Sequence, residues 1–206
     1  MNTGDARTEI MRSIRAHLAQ SVPHDGHEPQ MNSDPCKSMS QRAVTSLVEE
    51  FKLNLEAVDG HCLIARNAVE VEAAVKGITK GKRIASSDAP PPTKDLFNFD
   101  VGITRAQAGI AETGTLMLDS SVEQNRLVSL VPPVHIAILD ASRIYATLGE
   151  TLAMLQSGNE ISPAITFITG PSRTADIELT LAIGVHGPQE LYVVIIQDQN
   201  VADPNN

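Results

Sequence analysis

The stretch ITGPSRTADIEL, Ile168 to Leu179, sets a glycine, a proline, a serine and an arginine between two apolar runs. Read as a strand followed by a helix, it lets Ser172 cap the helix and Gly170 bring backbone close to a ligand. Arg173 would then aim at an anion held by the first unpaired N–H groups. A cation at a helix start is unfavourable unless something negative lies close. Asp176, three residues on, is one such partner; a bound carboxylate or phosphate is the other. A second group lies in GITRAQAGIAETGTL, where Glu112, Thr113, Gly114 and Thr115 follow Thr104. A glycine turn flanked by hydroxyls suits an anion. It is equally the form of a tight turn before a strand, with Glu112 in solvent. Histidine titrates near neutrality, so His135 and His186 join Glu112 as acid–base candidates. After Gly184, a helix stop by residue type, His186 also suits a purely structural place at a helix end. No pair of histidines has HxxxH or HxH spacing, so no metal site is expected.

Other chemistries are excluded by what is missing. GITKGKR, Gly77 to Arg83, is one residue short of a phosphate-binding Walker loop and offers Arg83 where a hydroxyl should reach magnesium. No GxGxxG opens a helix, so neither a nicotinamide nor a flavin dinucleotide site is expected. The net charge is -9, and Val101 to Asn206 carries 4 basic against 11 acidic residues with no lysine. That balance, with six aromatic residues, argues against nucleic-acid binding. Two cysteines, Cys36 and Cys62, far apart and without CxxC spacing, fit a reduced cytoplasmic protein and cannot ligate an iron–sulfur cluster unaided. No run is long and apolar enough to span a bilayer, and the N-terminus lacks a signal-type apolar block.

The elements that must position these residues follow from periodicity. Ile10, Met11, Ile14 and Leu18 mark an amphipathic helix within residues 1–20, residues 21–37 read as a flexible linker, and residues 38–206 as one α/β domain. Ser38 and Gln41 resemble a capping box before a helix carrying Val44, Leu47, Val48, Phe51, Leu55 and Val58. HCLIA, a helix capped by Asn67, and RIAS form a βαβ unit. SDAPPPTKDLFNFD is a loop, DVGIT a strand, RAQAG a turn of helix, and Thr115 to Leu118 a strand. RLVSLVPP and HIAILD read as strands, Ile144 to Leu155 as a helix, AITFITG as a strand, Ser172 to Ile183 as a helix, and ELYVVII as a last buried strand. Short, continuously apolar runs alternating with helices imply a mostly parallel sheet covered on both faces.

GIAETGTLML, VPPVHIAIL and ITGPSRTADIELTLAIGVHGPQELYVVII, in this order, resemble the LUD-domain family of lactate utilization proteins of the C type, and RTEIMRSIRAHL is similar to that family's N-terminal helix. The resemblance implies a fold similar to the NagB/RpiA/CoA transferase-like superfamily. It also implies a place in an L-lactate oxidation system whose other subunits carry the iron–sulfur clusters. It supplies no catalytic residue set. Removing two electrons from a hydroxy acid needs an acceptor that side chains do not provide, so the chain is not expected to be a redox enzyme alone. Three readings stay open: an accessory or regulatory subunit that binds a small carboxylate or phosphate, a self-contained isomerase or CoA-transferase-like enzyme with Glu112 as base or nucleophile, and a non-catalytic scaffold. Self-association into a homo-oligomer is also open.

Overall fold

VHIAILD forms the central strand of the molecule, a nearly continuous apolar run of the kind that can be buried on both faces of a parallel sheet. In the computed structural model, which describes residues 9, 11–13, 43–123, 125–156, 162–174, 182–183 and 187–197, it is strand β6 (Val134–Asp140). Its neighbours are β11 (Glu190–Ile196) and β3 (Val101–Ala106), and β1 (His61–Ala65) and β2 (Ile84–Ser86) lie at the edges. The order is β1-β11-β6-β3-β2, and every pairing is parallel. Period-two alternation sorts the side chains. Ala65, Val101, Val134, Ile136 and Val194 face helix α2 (Ala68–Thr79) through Val71, Ala74, Val75 and Ile78. Ala106, Ala137, Leu139, Leu191, Val193 and Ile195 face the other way.

That other face is covered by helix α1 (Val44–Ala57) and by a second sheet. Leu47, Val48, Phe51 and Leu55 fall on one side of α1 and are buried. The second sheet has the order β7-β4-β5-β8, with β4 (Ala108–Ile110), β5 (Thr115–Asp119), β7 (Ile144–Tyr145) and β8 (Ile165–Ile168). Only its β4–β7 pairing is parallel. Ala111, Leu116, Leu118 and Ile144 meet the first sheet's apolar face. The chain divides into two units, Met1–Lys37 and Ser38–Asn206. Of the first, residues 9 and 11–13 are helical, and the linker 21–37 lies outside the described residues.

Several elements depart from their sequence reading. Helix α1 has Ala43 at its N-cap with no side-chain bond, and Ser38 and Gln41, expected as a capping box, lie outside the described residues. RAQAG is extended: β3 runs to Ala106 and β4 follows, because Ala108 and Ala111 are completely buried where the two sheets meet and packing outweighs alanine's helical preference. RLVSLVPP holds a 3-10 turn, Arg126–Ser129, whose start is capped by Asn125 Oδ1 accepting from the Leu127 N–H at 3.0 Å. It is apolar because Leu127, Val128 and Val131 plug the end of the domain against Ala85 and Leu96. The proline-rich loop contains a second 3-10 turn, Thr93–Asn98. Ile144 belongs to β7, and helix α3 begins only at Leu148 and runs to Gln156.

The largest difference concerns the expected helix from Ser172 to Ile183. Arg173–Thr174 is strand β9, paired antiparallel with β10 (Ala182–Ile183). Ser172 therefore caps no helix starting at Arg173, and the puzzle of a cation at a positive helix end does not arise. By contrast, Asn67 caps α2 as its residue type suggests, its Oδ1 accepting from the Glu70 N–H at 3.0 Å.

Candidate functional site

A cleft of about 300 Å³ opens beside the amino ends of β6 and β11. Its wall is the segment from Thr166 to Arg173, which leaves β8, together with Gly187 and Pro188, which lead into β11. The two segments are tied together by the Ser172 N–H donating to Pro188 O at 2.8 Å, and the second is tied to the start of β6 by the Gln189 N–H donating to Pro133 O at 2.7 Å. Ser129, Leu130, His135 and Leu191 complete the lining. Ligands of open parallel sheets usually sit at the carboxyl ends of the strands. This cleft lies at the opposite end, with β8 of the second sheet in its wall.

Of the residues singled out by the sequence, His135, Gly170, Ser172 and Arg173 line this cleft. His135 sits between Gly102 and Leu191 in the register and is completely buried. Its Nε2 lies 2.8 Å from Thr104 Oγ1, while its Nδ1 is buried and has no partner. Burial holds the ring far below the usual imidazole range, at about 4. The ring is therefore neutral near pH 7, which removes it as a cationic acid and leaves it as a neutral donor or acceptor.

Arg173 is held by a partner that the sequence does not indicate. Its Nη2 donates to Asp59 Oδ2, 114 residues away in the chain. Asp59 adopts a left-handed conformation, φ 62°, in the turn after α1. Asp176 and His186 lie outside the described residues, and so does the ion pair expected between Arg173 and Asp176. The Arg173 and Asp59 side chains both keep solvent contact, so their pair contributes about 1 kcal/mol or less to stability and leaves Arg173 available to an anion.

The ETGT group is placed differently. Glu112 is exposed, and its Oε1 accepts from the Leu148 N–H at 2.8 Å, capping α3. Nothing in that placement makes it a buried base or nucleophile. We expect Glu112→Ala to lower stability by about 1 kcal/mol, the usual loss for a helix cap, as a small shift of the chemical denaturation midpoint without any change in ligand response. Gly114 and Gly170 have positive φ, 63° and 72°, and each backs onto the end of α1: an added Cβ would lie 2.3 Å from Leu55 N at Gly114 and 2.5 Å from Val58 O at Gly170. Thr113 and Thr115 do not line the cleft but reach it through a chain of hydroxyls. Thr113 Oγ1 is 2.7 Å from Thr115 Oγ1, which is 2.7 Å from Thr169 Oγ1, and Thr169 lines the cleft. Thr169 carried a readable signal, standing directly before Gly170 in ITGPSR. Ser129 was hidden inside a run that reads as a strand.

Among the described residues no group of three or more His, Cys, Asp or Glu could hold a metal ion, and no helix is long and apolar enough to cross a membrane. The LUD domain model matches residues 92–196. A protein of Neisseria meningitidis without an assigned function is 45% identical over 115 residues, 53% of this chain and 48% of that protein, so the match spans about half its length. Lactate utilization protein C of an Exiguobacterium species is 32% identical over 157 residues, covering 74% of this chain and 68% of that protein. A DUF162-family crystal structure from Deinococcus radiodurans shares the fold, with TM-score 0.57 at 20% identity, over 75% of this chain and 99% of that one.

Proposed function

Because the chain belongs to the LUD-domain family, we propose that it serves lactate utilization as an accessory or regulatory subunit that binds a small carboxylate in the cleft. The observation that carries this reading is the cleft's chemistry: one guanidinium, Arg173, in a lining that also includes the hydroxyl-bearing residues Thr166, Thr169 and Ser172 and the neutral imidazole of the buried His135. Such a set suits one negative charge and a few neutral polar atoms. Phosphate remains the second anion to try. Electron transfer is assigned to partner subunits, since two cysteines fall short of the four that an iron–sulfur cluster usually takes. Burial also pushes the Cys62 thiol up to about 11, far from a thiolate ligand.

The test is thermal stabilisation of the full chain by lactate, pyruvate, phosphate and CoA. Arg173→Ala should weaken the carboxylate response by about ten- to a hundred-fold in affinity, the effect of a lost charge-assisted contact. Asp59→Asn should strengthen it, because the guanidinium is then free of its competing carboxylate. Equal shifts for wild type and both variants with every ligand would remove the cleft as an anion site.

A further inference from the structure

The first sheet has β1 at one edge and β2 at the other, and the chain treats the two edges differently. An edge strand offers unpaired N–H and C=O groups to any second strand, and proteins blunt it by short length, by charge or by covering it. β2 is blunted in each way. It is 3 residues long, Lys82 and Arg83 stand immediately before it, and Ser86 bridges to Ala89 in the loop that follows. β1 is longer and carries no lysine, arginine, carboxylate or proline. Its Leu63 is 37% exposed and its Ile64 45%.

Hydrogen bonds fix which groups of β1 are open. Along a parallel strand the N–H and C=O of one residue point to one side and those of the next residue to the other. Ala65 O accepts from the Gln197 N–H at 2.7 Å, so Ala65, Leu63 and His61 turn theirs toward β11. Cys62 and Ile64 therefore turn theirs outward. The outward row is closed at both ends: the Gly60 N–H donates to Leu55 O at 2.9 Å, and the Arg66 N–H donates to Glu70 Oε2 at 2.8 Å. What stays open is the N–H and C=O of Cys62 and of Ile64, placed symmetrically about Leu63. Side chains alternate as well. Ala65 packs on the α2 side and Cys62 on the α1 side, which sets Leu63 on the face of Ala65 and Ile64 on the face of Cys62.

We propose that β1 pairs antiparallel with β1 of a second copy of this chain, about a two-fold axis at Leu63, joining the two five-stranded sheets into one continuous sheet. In that register Cys62 lies opposite the partner's Ile64 and exchanges both backbone bonds with it. Ile64 does the same with the partner's Cys62, so every open group is used. Leu63 meets the partner's Leu63 in the closer, unbonded kind of pair, and Ile64 covers the partner's Cys62. A two-fold contact sets a patch against itself, which favours a patch free of like charges. β1 meets that condition, whereas the lysine and arginine before β2 would face their own copies. The same lack of charge in β1 gives a partner of opposite charge nothing to recognise.

Sedimentation equilibrium of the full chain tests the association, and cross-linking tests the register. Wild type should sediment with twice the mass of the chain at micromolar concentration. Ile64→Lys, at a position already exposed in the single chain, should weaken the association by more than about ten-fold without changing the circular dichroism, since lysine is one of the devices that keep edges apart. With Cys36 and Cys62 replaced by serine, Leu63→Cys should oxidise to a disulfide-linked dimer, because the Cα atoms of an unbonded antiparallel pair lie about 4.5 Å apart, within disulfide reach. Val69→Cys, 75% exposed on α2 and away from the edge, should stay unlinked under the same oxidant. A wild type that is monomeric throughout, a dimer that Ile64→Lys leaves intact, or a Leu63→Cys that links no faster than Val69→Cys would each overturn the proposal.

Discussion

Gly114→Ala is expected to remove about 3–5 kcal/mol of stability, enough to unfold much of the population of a domain of ordinary stability at physiological temperature. Two independent causes add. The residue holds φ 63°, where an L side chain is strained by about 1–2 kcal/mol. An added Cβ would also lie 2.3 Å from the backbone nitrogen and 2.6 Å from the Cα of Leu55, which is itself fully buried in α1. Backbone in the last turn of a packed helix cannot give way as a flexible side chain end can, so the second sheet must separate from α1. Gly77 supplies the control. It lies inside α2 with nothing within 4 Å of an added Cβ, and Gly77→Ala should stabilise by about 0.5–1 kcal/mol through helix propensity. Urea melts of the two variants should therefore move in opposite directions. A Gly114→Ala protein that melts like wild type and fails only to bind anions would restore this glycine to the binding role that its sequence context suggests.

Acid should destabilise the domain by about 3 kcal/mol between pH 6.5 and pH 4 through His135 alone. Burial lowers this histidine from the ordinary 6.5 to about 4. Through that interval the unfolded chain takes up a proton that the folded chain refuses, so stability falls as pH falls and the loss levels off below about 4. The window differs from that of Asp119. Burial raises that carboxyl, but hydrogen bonds from Ser121 and Ser162 outweigh it and hold it below its ordinary 3.8, so its contribution is lost only in stronger acid. Denaturation midpoints of wild type and His135→Asn, measured from pH 7 to pH 4, separate the two: the variant should be less stable at pH 7 and should change little down to pH 4. A variant that follows the wild-type slope over that interval would show that His135 titrates normally and is not sealed in the fold.

Period and residue type alone made the first sheet readable. HIAIL and LYVVII are too continuously apolar for a half-exposed sheet, and Asn67 announces the helix between β1 and β2 because the cap is a bond made within four residues of sequence. The family likeness rests on the same kind of local order, in motifs such as GIAETGTLML and VPPVHIAIL.

What sequence left undetermined are the places where a distant group overrides a local preference. RAQAG carries helix-forming alanines, yet it is strand because two sheets close on its small side chains. Nothing near Arg173 in the chain points to Asp59, yet that carboxylate, 114 residues away, is brought to it by the turn that ends α1. Gly114 has the form of a ligand loop, yet its missing Cβ is the room that Leu55 backbone fills. His135 reads as a residue titrating near neutrality until the fold removes water from it and sets Thr104 against one nitrogen. Local bonds and periodicity are written in neighbouring residues and can be read from them. Burial, close backbone approach and long-range ion pairing depend on which surfaces meet, and only the packed tertiary structure decides that.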